Sequence, residues 1–174
     1  MADVDVKIEG LDEVLRKMRA LADPRLTRNA AKRASRKAMN IVKKAAIQNA
    51  KVIDDPETRE AIYANIAVAE GRTRDKNLVK MRVGVNGGAG INKNSKKIVF
   101  KERKKKGEPK QKLPEDTIAL KGGDTRHWKF VEFGTSEMPA TPFMRPALAN
   151  NVQQVTDIFS QSFNIELEEE LSKL

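Results

Sequence analysis

Glu132 and Arg145 are the residues whose types and placement most directly suggest a specific contact. They are a carboxylate and a guanidinium on either side of a corner marked by glycine and proline. The chemistry on offer is charge pairing rather than bond making. The chain has no cysteine to act as a nucleophile or zinc ligand, and His127 is its single histidine. With no second His or Cys to complete a metal site, His127 reads as structural. Gly84-Val85-Asn86-Gly87-Gly88-Ala89-Gly90 is glycine-rich, but neither a Lys-Ser/Thr pair nor a helix follows, so it is not a phosphate loop. Glu166, Glu168, Glu169 and Glu170 read as a solubilising helix end. We expect no catalytic site, no cofactor and no metal, and the chain reads as a non-enzyme.

The other charged feature is basic. Net charge is +10, and the segment Lys93 to Lys112 carries ten Lys/Arg against two Asp/Glu, which accounts for most of it. Lys97, Lys101, Arg103, Lys104, Lys105, Lys106, Lys110 and Lys112 are dense enough to meet several phosphates or an acidic protein surface. Phe100 is the only aromatic there, so base stacking is not expected. Any DNA contact would be to the backbone and blind to sequence. The acidic C-terminal run has the opposite sign, so two electrostatically distinct surfaces are expected, each able to meet a different partner.

The elements that must position these groups follow from periodicity. Val4, Val6 and Ile8 alternate with charged residues as a half-buried strand, and Leu11, Val14, Leu15, Met18 and Leu21 recur as one helix face. Asp23-Pro24 breaks that helix and opens a second, free of Gly and Pro from Arg25 to about Val52. Leu26, Ala30, Ala34, Ala38, Ile41, Val42, Ala45 and Ala46 form an alanine-rich stripe along it at near-helical spacing. Strands are expected at Ile62–Val68, Leu78–Val85 and His127–Phe133, with a brief one at Ile98–Phe100. Residues 87–125 otherwise read as a long basic loop insertion. A last helix is expected from Pro142 to about Phe163, with an acidic, frayed turn beyond it. No apolar run approaches membrane-span length, and Met1–Asp5 lacks the regions of a secretory signal, so use in a cytoplasm is expected. One domain, residues 1–174, is expected. Its fold class is α+β: a mostly antiparallel sheet of about four strands packed against the long helix and the C-terminal helix.

The corner itself is Glu132, Phe133, Gly134 and Thr135, followed by Pro139, Pro142, Phe143, Met144, Arg145 and Pro146. Two readings stand. In one, the corner is a strand end where Gly134 supplies a left-handed turn and Thr135 bonds nearby backbone. In the other, Glu132 pairs with Arg145 and clamps the loop onto the last helix. Either way the prolines stiffen a protrusion suited to a neighbouring subunit, with Phe143 and Met144 as its contact.

Four pieces in order carry a family resemblance: Val6 to Val14, the basic helix ending Ala45-Ala46-Ile47-Gln48-Asn49-Ala50-Lys51, Val131-Glu132-Phe133-Gly134-Thr135, and Pro139 to Ala147. Together they resemble the minor tail component, also called neck or tail-completion protein, of long-tailed bacteriophages of the lambdoid type. Where many relatives carry an Asp-Thr-Gly signature after the long helix, Asp55 to Ala61 here lacks the glycine. The resemblance implies a structural protein of the virion, placed where head and tail join and assembled in the host bacterial cytoplasm. It implies a homo-oligomeric ring, a hexamer or dodecamer, around the DNA conduit. Its partners would be the head-closure or connector proteins on one side and tail-terminator or tail-tube proteins on the other. Passing contact with genomic DNA is possible in that setting, and no membrane is involved. The alternative from charge alone is a stand-alone, non-sequence-specific nucleic-acid-binding protein.

Overall fold

The structure, a computed structural model, describes residues 16–19, 22–55, 57–75, 77–88, 90–102 and 113–173. The strand expected at Val4–Ile8 and most of the first helix lie outside them, although residues 16–19 are helical. Helix α1, Pro24–Val52, is 29 residues long, or about 44 Å at the usual rise. Asp23 caps it by accepting from Arg25 N at 2.8 Å, and Pro24 fills the first turn, where a missing N–H costs nothing. Ala30, Ala34, Ala38, Val42, Ala46 and Ala50 are its buried residues. Their small side chains let other elements approach the helix backbone closely.

Several other described elements pack against this helix. A single helical turn, α2 (Ile62–Asn65), leads into strand β1 (Ile66–Glu70), which pairs antiparallel with β2 (Met81–Val85). Strands β3 (Lys97–Phe100) and β4 (Thr117–Leu120) form a second, parallel pair. Three helices follow: α3 (Trp128–Phe133), α4 (Met144–Ala149) and α5 (Val152–Ser172). Helix α5 runs antiparallel to α1, since Glu166 meets Arg33 and Lys37 near one end while Asn49 bonds the Phe143 carbonyl near the other.

The core gathers Val42, Ala46, Ala50, Ile62, Ile66, Val85, Phe143 and Ala147. Phe143 is the largest of these and is completely buried. A buried Asn65 ties the strand layers together. Its Oδ1 accepts from Gly122 N at 2.9 Å, and its Nδ2 donates to Gly123 O at 3.0 Å and Thr125 Oγ1 at 2.8 Å. Gly122 is required there, because a Cβ would collide with the Ala61 carbonyl oxygen.

Several expectations are corrected. The class is mixed helix and strand, but the described strands form two sheets of two strands each rather than one of four. His127–Phe133 is not a strand: Trp128–Phe133 is helical. Residues 62–65, expected to be extended, form a helical turn. Within 87–125, Thr117–Leu120 pairs with β3, a strand the periodicity does not announce. The expected helix from Pro142 is two helices that part at Asn150–Asn151. Asn151 Nδ2 donates to the Ala147 carbonyl at 2.9 Å, an acceptor that a continuing helix would give to backbone. Beyond Phe163 the chain stays helical to Ser172.

Candidate functional site

The corner is a helix–loop–helix, closed by one carboxylate. Helix α3 places Glu132 on its inner side, where the side chain is 1% exposed. Its Oε2 accepts from Phe143 N at 2.8 Å and Met144 N at 2.9 Å. Its Oε1 accepts from Arg145 N at 3.0 Å and Arg145 Nε at 3.2 Å. These backbone donors open α4 and have no partner within that helix. Glu132 therefore caps a helix from a distance, and its charge complements the helix dipole. Burial pushes its pKa up, but the backbone donors of Met144, Phe143 and Arg145, with the Arg145 guanidinium, outweigh that and hold it below the ordinary carboxylate range.

Arg145 completes the clamp. Its Nη2 donates to the Glu132 main-chain carbonyl at 2.6 Å, and its guanidinium lies over the Phe133 ring, 5.1 Å from the centroid. The expected Glu132–Arg145 pair is therefore present, and of the other reading the Gly134 corner and the Thr135 bonds hold, at a helix end rather than a strand end. Gly134 has φ 76°, and a Cβ there would stand 2.8 Å from Ala140 N. Thr135 Oγ1 accepts from Met138 N at 3.0 Å, while Thr135 N donates to Met138 O and Thr141 N to Val131 O.

The exposed face of this corner is Phe133, Thr135, Pro139, Pro142 and Arg145, with Met144 and Pro146 half-buried. Phe143 is corrected from a surface contact to a core residue: its ring fills the space between α1 and the strand layer, and its backbone is held by Glu132 and Asn49. Phe130 and Met138 are exposed beside the corner, and the expected contact set omits them. Phe130, one turn before Phe133 on α3, is recognisable only once that segment is known to be helical.

Of the basic residues, Lys97 lies on β3 and Lys101 just after it, both exposed. Arg103, Lys104, Lys105, Lys106, Lys110 and Lys112 lie outside the described residues. His127 stands 3.7 Å from Glu60 in a small cavity that Asp54 and Asp55 also line. Burial, then the nearby Asp55 charge, raises the Asp54 pKa. Among the described residues no group of three or more His, Asp or Glu could hold a metal ion. None of their helices is long and apolar enough to cross a membrane.

No curated protein and no solved structure matches the chain. A family model does, the one described as "Bacteriophage HK97-gp10, putative tail-component", over residues 12–134. The match takes in α1, both strand pairs and α3, and it stops at Gly134, so Pro139–Ala147 and α5 stand outside it. Since it spans well over half of the 174 residues, the chain belongs to the HK97 gp10-like family of bacteriophage tail components.

Proposed function

We propose that this tail component is a subunit of the head–tail connector, a neck or tail-completion protein that forms a ring around the DNA conduit. The observation that carries the reading is the corner fixed by Glu132. Its buried carboxylate is held by four donors, while its exterior displays Phe133, Pro139, Pro142 and Arg145 on a helix–loop–helix with little freedom. A group held this rigidly loses little entropy when a partner covers it. Work of this kind is mechanical rather than catalytic. Copies of the chain bridge head-closure or connector proteins to tail-terminator or tail-tube proteins, in a hexamer or dodecamer within the virion. Interface energy summed over the ring lets each single contact stay weak.

The test is the mass of purified protein, alone and mixed with separately purified heads and tails. A closed ring, and its recovery at the junction of joined particles, is the expected result. A chain that stays monomeric and joins neither particle overturns it.

The charge balance of the segment Lys93 to Lys112 supports a second reading, non-specific DNA binding by the isolated chain. That reading requires affinity that falls steeply with salt and vanishes when the segment is deleted. The connector reading requires that the same deletion block joining even where free-DNA binding is negligible.

A further inference from the structure

The fold divides the acidic run of the C-terminal helix into two sets. Glu166 and Glu170 turn toward α1: Glu166 meets Lys37 at 2.6 Å and also Arg33, and Glu170 meets Arg33 at 2.6 Å. Glu168 and Glu169 point away, exposed and with no ion pair among the described residues. One turn earlier, Ile165 is 51% exposed. Residues three and four apart share a helix face, so Ile165, Glu168 and Glu169 make one surface, apolar at one end and anionic at the other.

Helix α3 presents the converse. Phe130 and Phe133, also one turn apart, are 45% and 62% exposed. Each ring carries a cation on its face: Lys129 Nζ lies 4.7 Å from the Phe130 centroid, and Arg145 stands over Phe133. Glu132 balances the Arg145 charge, but Lys129 has no carboxylate partner among the described residues. The patch is aromatic with a positive rim. What it lacks is an apolar side chain flanked by carboxylates, and this chain carries that chemistry on α5. A phosphate backbone would answer the charge but leave the exposed ring edges uncovered.

We propose that the Lys129–Phe130–Phe133–Arg145 patch of one copy seats the Ile165–Glu168–Glu169 face of α5 of a second copy. This rests on the connector reading and names its subunit contact. The two surfaces differ, so the contact is head-to-tail, and repeated head-to-tail contacts close into a ring when the rotation permits. The rings and Ile165 supply the buried apolar centre, and the charges at the rim set partner choice and salt sensitivity.

The experiment measures assembly of the full chain by analytical ultracentrifugation at physiological salt. Two variants are compared with wild type: Lys129→Glu, and Glu168→Lys with Glu169→Lys. Glu168 and Glu169 are exposed and Lys129 is half-buried, and circular dichroism checks that each variant keeps its helix content. Each variant alone places like charges across the contact, and its subunit dissociation constant should rise at least about tenfold. Mixed in equal amounts, the two should co-assemble in alternating order, because every contact in such a ring again joins opposite charges. If both variants assemble as wild type does, or if the mixture fails to recover, this contact is wrong while the connector reading stands. A wild-type chain that stays monomeric overturns this contact, and one that also joins neither heads nor tails overturns both.

Discussion

The Glu132 carboxylate holds Arg145 twice, through the backbone amide at 3.0 Å and the side-chain Nε at 3.2 Å, while Arg145 returns a bond to the Glu132 carbonyl. A buried acid with four donors around it is over-determined, so the angle between α3 and α4 is set by one side chain. This separates the site's rigidity from its surface chemistry. Glu132 is out of reach of any partner, whereas Arg145 has a side chain 58% exposed.

Removing that acid should therefore loosen the corner without touching its outer face. Glu132→Ala leaves the first amides of α4 buried without their acceptor, and we expect a loss of about 3 kcal/mol in urea unfolding. Glu132→Gln keeps one acceptor oxygen and should lose less. Arg145→Ala should cost about 1 kcal/mol, since water can replace an exposed guanidinium. Equal losses for Glu132→Ala and Arg145→Ala would contradict this ordering.

The same acid sets a pH dependence. Its folded pKa lies below the ordinary carboxylate value, as do those of Glu166, held by Lys37 and then Arg33, and of Asp124, held by Arg126. A depressed carboxylate contributes stability that is complete above its unfolded pKa, about 4.3 for Glu. That contribution is lost as pH falls through the folded value. Melting temperature should hold level from neutral pH down to about 5 and then drop. In Glu132→Gln the drop should be shallower, and an unchanged acid limb would exclude Glu132 as a contributor.

How far the sequence reveals this architecture varies with element length. Helix α1 is legible because Ala30, Ala34, Ala38, Val42 and Ala46 repeat over many turns, and Asp23-Pro24 marks its start. Helix α3 is not. In six residues Trp128, Phe130 and Val131 fit either period, and aromatic and β-branched residues favour the strand. Helix wins because Glu132 must point inward to the α4 amides while Phe130 and Phe133 stay on the outer side, a tertiary requirement that local pattern does not carry. Strand β4 is four residues among Lys, Gly and Pro, and its parallel partner lies across the basic segment. At the site, the Glu132–Arg145 contact is legible from residue type. The burial of Phe143 is not, because a proline-rich stretch looks like surface.

Asn65 should behave as a second lock, independent of the corner. Asn65→Ala leaves the buried Gly122 N–H without its acceptor and the Gly123 carbonyl without a donor, and should cost about 2–4 kcal/mol. Asn65→Asp keeps the acceptor but faces a carboxylate toward the Gly123 carbonyl, which raises its folded pKa. That variant should gain stability as pH falls, opposite in sign to the Glu132 contribution. Faster hydrogen exchange at the Gly122 amide in Asn65→Ala would localise the effect, and unchanged protection would refute it.

The alanine stripe makes the sharpest packing prediction. Ala46 has no exposed surface and belongs to the cluster that includes Phe143 and Ala147. Close approach to α1 depends on its small size, so Ala46→Leu must displace a neighbour or strain its own rotamer, at about 1–3 kcal/mol. Gln48→Leu, two residues on and exposed, gives the same helix a better apolar residue with nothing to displace, and should stay within about 0.5 kcal/mol of wild type. Because Phe143 follows the loop that Glu132 closes, the strain of Ala46→Leu should pass to the corner. Combined with Glu132→Ala, its cost should then differ from the sum of the single losses by more than about 0.5 kcal/mol. Simple additivity would mean that the core and the corner are energetically separate.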